Sequence, residues 1–179
     1  VDGTGQYRGH WLGSFARGLS PELCTLLYAD DQLQRVRRDV FSVVVPALYE
    51  LGMRGPVGVD SLVYRNQNGR LKIRPIVEVN PRQSMGRVAL SLQRRVAGGV
   101  PAVWTILGPG AIRRAGGMAA LAERLSMPVV LSDGHQIVEG IVMTNPPDED
   151  GVALSVLAVG EGAIAMLSVC GFSLASFSS

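Results

Sequence analysis

The feature that most constrains this sequence is a pair of strand-period runs joined by a turn. Val59-Asp60-Ser61-Leu62-Val63-Tyr64 leads into Asn66-Gln67-Asn68-Gly69, and Leu71 through Val79 follows. Asn-Gly between two such runs is the strongest short-range signal for a β-hairpin, because both residues tolerate the left-handed backbone that a tight turn demands. Pairing the strands back from Asn68-Gly69 sets Asp60 across from the neighbourhood of Glu78, where opposed Cβ atoms lie roughly 4.5–5.5 Å apart. Glu78 and Asn80 are two residues apart, hence on one face and about 6.5–7 Å apart along the strand. Asp60, Glu78 and Asn80 therefore form one oxygen-rich face.

Two carboxylates at that range repel each other, so a cation is expected between them. Mg²⁺, or Mn²⁺ in its place, suits the arrangement: it is a hard cation that accepts one or two carboxylates and fills its remaining positions with water and phosphate oxygens. Arg82, two residues beyond Asn80, offers a planar fork to an anion. The plainer reading is a solvated face on which Arg74 or Arg82 pairs with Glu78. Against it stand the apolar neighbours Val59, Leu62, Ile76, Val77 and Val79, which predict largely buried strands, and buried carboxylates need partners.

Ser20-Pro21-Glu22 starts a helix over residues 21–28, with serine as cap and proline where no N–H is required. Asp30-Asp31 open a longer one, on which Leu33, Val36, Val40, Val43, Val44, Leu48 and Leu51 recur at steps of three and four until Gly52; Pro46 should kink or split it. Residues 6–15 suit an edge or bent strand, and residues 85–96 a helix stopped by Gly98-Gly99. Beyond it the pattern predicts a strand over 102–107, a plain loop at Gly108-Pro109-Gly110 with Arg113 and Arg114, and a helix over 118–125. Strands follow near 128–131, 137–144, 152–159 and 163–169.

The expected fold is α+β, a mainly antiparallel sheet with packed helices. A length of 179 residues allows one core, or one domain with an appended piece. The expected division is residues 1–98, carrying the hairpin, and residues 99–179, a β-rich extension packed on it.

Several function classes are excluded. A net charge of +2 is too small for a nucleic-acid partner, since counterion release needs many basic groups on one surface. The longest apolar stretch, residues 152–170, is broken by Gly160-Glu161-Gly162 and reads as two strands and a turn, so no membrane role is implied. Cys24 and Cys170 share no C-x-x-C spacing and are expected reduced and buried, in the cytoplasm. His10 and His135 give no zinc pattern. His10, beside Trp11 and on the same face as Arg8, is expected to pack or hydrogen-bond, and His135 to sit in a turn. No phosphate-binding or dinucleotide glycine motif is present.

The run Gly55-Pro56-Val57-Gly58-Val59-Asp60, followed by Pro75-Ile76-Val77-Glu78-Val79-Asn80-Pro81-Arg82 and Met85-Gly86, resembles the C-terminal subdomain of the ATP-grasp superfamily. The likeness is specific from Gly52 to Arg95, about a quarter of the chain. E-x-N-x-R is common by itself; the aspartate one hairpin upstream and the helix directly after give it its value. The resemblance implies that Asp60 and Asn80 each ligate metal and that Glu78 bridges two metals. It also implies that Arg82, as the catalytic residue, steadies phosphate or an acyl phosphate.

These four residues would bind ATP with Mg or Mn, in a ligase joining a small carboxylate substrate to an amine or similar nucleophile. Family members grip phosphates with lysines from an N-terminal lid, whereas the one lysine here, Lys72, lies on the hairpin. The chain, opening at Val1, is accordingly expected to be a piece of a longer protein and inactive alone. Two other readings stay open: a noncatalytic scaffold that keeps the fold, and a cation-stabilised structural domain. Residues beyond about Gly99 are expected to cover the active site or to make a homodimer contact.

Overall fold

The computed structural model describes residues 9–13 and 19–169. In chain order the elements are β1 (Gly9–Leu12), α1 (Pro21–Tyr28), a 3-10 turn (Ala29–Asp31), α2 (Gln32–Glu50), β2 (Gly58–Arg65), β3 (Leu71–Asn80) and α3 (Met85–Gln93). They continue with β4 (Ala102–Leu107), α4 (Pro109–Ala115), α5 (Met118–Arg124), β5 (Val130–Leu131), β6 (Ile137–Met143), β7 (Leu154–Val159) and α6 (Glu161–Val169). The fold is α+β with an antiparallel sheet and packed helices. Among the described residues there are two compact units, residues 19–88 and residues 9–13 with 89–169. The division expected near residue 98 falls inside the second of these. Arg8 and Cys170 lie outside the described residues, as do the ends of the strand expected over 6–15.

The second unit is built on a five-stranded antiparallel sheet in the order β1-β4-β7-β6-β5. Its central strands β4 and β7 are covered on both faces, which explains their nearly unbroken apolar runs. On one face Val103, Leu107, Leu154, Val156 and Ala158 meet Ala111, Ala115, Met118, Leu121, Ile164 and Leu167 from α4, α5 and α6, and Leu125 just after α5. On the other, Leu12, Ala102, Trp104, Leu157 and Val159 meet Ala89 of α3 and Val96. The indole N–H of Trp104 donates to Ser155 Oγ at 2.8 Å and Thr144 Oγ1 at 3.1 Å, so this buried ring keeps its polar atom satisfied.

Three expectations are corrected here. Residues 163–169 are helix, not strand: Ala163, Ile164 and Leu167 are buried at helical spacing, and Ala165 and Met166 between them are strong helix formers. The helix starts against Glu139 of β6, whose Oε1 accepts the Ala163 N–H at 3.3 Å. The supposed loop at Gly108-Pro109-Gly110 is the first turn of α4, with proline where a donor is not needed and Gly116 closing the helix at φ +93°. The region expected as a β-rich extension thus carries three helices besides its strands. Of the two outcomes expected at Pro46, a kink or a split, the split does not occur: α2 continues through it to Glu50.

In the first unit, Ser20 Oγ accepts the Leu23 N–H at 3.3 Å and caps α1. Asp30 and Asp31 both take left-handed backbone conformations, which turns the chain from α1 into α2. Leu33, Val36, Val40, Val44 and Leu48 form the covered stripe of α2, with Val44 buried and the others half-buried. Cys24 is half-buried rather than buried. Among the described residues no helix is long and apolar enough to cross a membrane.

Candidate metal centre on the hairpin

β2 and β3 pair antiparallel around a five-residue loop from Asn66 to Arg70. Asn66 closes that loop with its side chain, its Oδ1 accepting the N–H groups of Asn68 at 3.1 Å and Arg70 at 3.0 Å. Gly69 supplies the left-handed residue, at φ +72°. Val59, Val63, Leu71, Ile73 and Val79 are half-buried, the face on which the hairpin meets the helices of its unit. Arg65 donates to Glu22 of α1 through both terminal guanidinium nitrogens, Nη1 and Nη2. That ion pair holds the Glu22 carboxyl below the usual carboxylate range and raises Arg65.

Asp60, Glu78 and Asn80 share the opposite face. Asp60 stands directly across from Glu78, and Gly58 directly across from Asn80. Asn80 Nδ2 donates to Asp60 Oδ2 at 3.3 Å along the diagonal, and Arg82 Nη2 donates to Asn80 Oδ1 at 3.3 Å. A Cβ on Gly58 would stand 3.2 Å from Ser84 Cβ and 3.8 Å from Asn80 Cβ, so glycine leaves these two their room. Pro81 ends the strand, the Arg82 N–H turns back onto the Asn80 carbonyl at 2.8 Å, and Ser84 Oγ accepts the Arg87 N–H at the start of α3. Strand pairing, one turn and one cap therefore bring all four residues named from the sequence to one end of the hairpin.

The reason given for needing a cation has to be corrected. Asp60 and Glu78 are exposed, as are Leu62, Ile76 and Val77 beside them, so the carboxylates are not buried charges awaiting a partner. The plainer reading holds in its first half, a solvated face, and not in its second: among the described residues no side chain pairs with Glu78, and Arg82 bonds to Asn80 instead. What remains is a water-facing pair of opposed carboxylates with an amide and a guanidinium alongside. No group of three His, Cys, Asp or Glu that could hold a metal occurs among the described residues. Any metal here would rest on two carboxylates, one amide oxygen and groups from its ligand.

Sequence reasoning missed the irregularity between the two ends of the hairpin. Asp60 and Leu62 are two residues apart, but their partners Glu78 and Arg74 are four apart, so β3 carries two extra residues in a bulge. Ser61 Oγ donates to the Pro75 carbonyl at 2.7 Å there. Pro75 was the available signal, because proline sits within a strand chiefly at edges and bulges. No family model, curated protein or solved structure matches this chain.

Proposed function

We propose that the hairpin binds a divalent cation together with the phosphates of ATP, as the metal-binding part of an ATP-grasp-type ligase that activates a carboxylate as an acyl phosphate. The observation that carries the reading is the register, with Asp60 opposite Glu78 and Asn80 and Arg82 linked beside them. The donor set fits Mg²⁺ or Mn²⁺: all-oxygen, two carboxylates, open to water and to phosphate. Asn80 would serve by turning its amide through 180°, which brings Oδ1 to the side of Asp60 and gives up its bond with Arg82, freeing that guanidinium for an anion. The cation would neutralise phosphate charge, Arg82 would orient a phosphate or acyl-phosphate oxygen, and Glu78 would hold the metal with Asp60.

The test is a calorimetric titration of Mg²⁺ or Mn²⁺ into the chain with and without ATP, comparing the native protein with Glu78→Gln. Metal binding that strengthens with ATP and disappears in the variant supports the reading. Binding indifferent to ATP identifies a cation-stabilised structural domain instead. ATP binding that ignores both metal and Glu78 would leave the noncatalytic scaffold.

A further inference from the structure

The hairpin face that carries Asp60 and Glu78 continues toward the loop with two cations. Tyr64 is paired with Lys72 and Leu62 with Arg74, and the bulge adds an even number of residues, so strand alternation keeps Lys72, Arg74, Glu78 and Asn80 on one side. Read from the loop outward, the face runs Lys72, Arg74, bulge, Glu78 opposite Asp60, Asn80, then Arg82. Cations flank the acidic pair on both sides.

Charges of opposite sign on one strand face ordinarily pair. Here they do not: among the described residues neither Lys72 nor Arg74 makes a side-chain hydrogen bond or ion pair. The two extra residues of β3 are taken up in the bulge, since Arg74 and Glu78 are the partners of Leu62 and Asp60, which are themselves only two residues apart. Ser61 Oγ fixes the bulge by its bond to the Pro75 carbonyl, and Pro75 has no N–H to be orphaned where the ladder is interrupted. Among the described residues the carboxylates of Asp60 and Glu78 and the cations of Lys72 and Arg74 are each left without an ion pair.

Lys72 and Arg74 in turn stand about 6.5–7 Å apart on that face, close enough to repel each other and to share one oxyanion. Their cross-strand neighbours Tyr64 and Leu62 are 44% and 50% exposed, an apolar floor beside the charges. Arg82 lies at the far end, beyond Asn80, so an anion held there does not reach both groups. We propose that Lys72 and Arg74 form a second oxyanion subsite, on the loop side of the Asp60–Glu78 pair, for a phosphate or carboxylate group distinct from the one at Arg82. The inference extends the metal reading along the same face and rests on it only for the identity of the ligand.

Pyrophosphate titrated without metal at low ionic strength into the ¹⁵N-labelled full chain tests this. Amide shifts should centre on residues 62–64 and 71–75, and the double variant Lys72→Gln/Arg74→Gln should bind about five- to tenfold more weakly, an effect that salt erases. Equal affinity in the double variant, or shifts spread over the arginines of α2 and α4 without a centre on the hairpin, would overturn the subsite. Glu78→Gln should keep this metal-free binding and lose only the increment that Mg²⁺ adds. If the native protein shows no such increment, the metal reading fails while the subsite stands. Succinate that displaces pyrophosphate assigns the subsite to a carboxylate reactant; succinate without effect assigns it to phosphate.

Discussion

Replacing Gly160 with alanine should destabilise the five-stranded unit by about 1.5–4 kcal/mol, and the structure separates that figure into two parts. Gly160 has φ +87°, a left-handed conformation that costs a residue with a Cβ about 1–2 kcal/mol. An added Cβ would also overlap Glu139 Oε2 and stand 2.5 Å from Glu139 Cδ. The carboxylate would have to leave the N-terminus of α6, giving up the Ala163 N–H and its place at the positive end of the helix, about 0.5–2 kcal/mol more. Gly162 belongs to the same arrangement, since a Cβ there would lie 2.9 Å from Glu139 Oε1.

Urea denaturation followed by tryptophan fluorescence reports on this unit, because both tryptophans, Trp11 and Trp104, belong to it. The decisive comparison is a cycle with Glu139→Ala. On that background the overlap is gone, so Gly160→Ala should cost only the backbone component, and the two substitutions should couple by about 1 kcal/mol or more. Equal costs on both backgrounds, within about 0.5 kcal/mol, would refute the claim that Gly160 is glycine in order to admit the Glu139 carboxylate.

Three further outcomes follow from the same coordinates. Ser155→Ala with Thr144→Val leaves the buried Trp104 indole N–H without either acceptor and should cost about 1–3 kcal/mol by urea titration, well above either change alone. The Glu22–Arg65 pair lowers the folded-state pKa of Glu22, so its contribution is complete above the ordinary carboxylate range and is lost as pH falls through the lowered value. A ¹³C titration of the Glu22 carboxyl should show the low value, and Arg65→Gln should restore an ordinary one. Burial lowers the His10 pKa, so the neutral ring is the one the fold prefers and stability should decline as pH falls below the ordinary imidazole range. The His10 ring protons should titrate low by NMR, and His10→Gln should flatten that acid-side slope.

The elements most legible in the sequence were those whose local chemistry and tertiary setting agree. Ser20-Pro21 starting α1 and the hairpin around Asn66 to Gly69 depend on neighbours in sequence or on one short loop, whereas Asp60 meets Glu78 only through the bulge, because the loop register carried on would set it against Ile76. The failures came where a short apolar run admits two periods. Residues 163–169 contain enough Ala, Ile, Leu and Val for either element; the choice fell to Glu139, a residue of another strand, whose carboxylate meets the start of α6. Likewise Gly108-Pro109-Gly110 looks like a loop until Gly116 is counted as the closing residue of a seven-residue helix. Burial was the least legible quantity, because an apolar strand neighbour shows what could be covered and not what is. Val77 and Leu62 are each half exposed.

That misjudged burial changes what the candidate metal centre can be. Buried, two opposed carboxylates would oblige the protein to fold around a cation. Facing water roughly 5 Å apart, they repel by only about 0.8 kcal/mol, well within what a folded domain tolerates. The hairpin has no need of metal to form, so metal alone should bind weakly and should leave the melting temperature almost unmoved. On the proposed reading, affinity would come from oxygens that the cation's ligand brings, with Arg82 acting on one oxyanion and Lys72 and Arg74 on another. A nucleoside triphosphate with Mg²⁺ should accordingly stabilise the chain more than the triphosphate alone, and Mg²⁺ alone hardly at all. A thermal shift produced by Mg²⁺ alone, equal to that with ATP present, would place the cation in the fold rather than in a reaction.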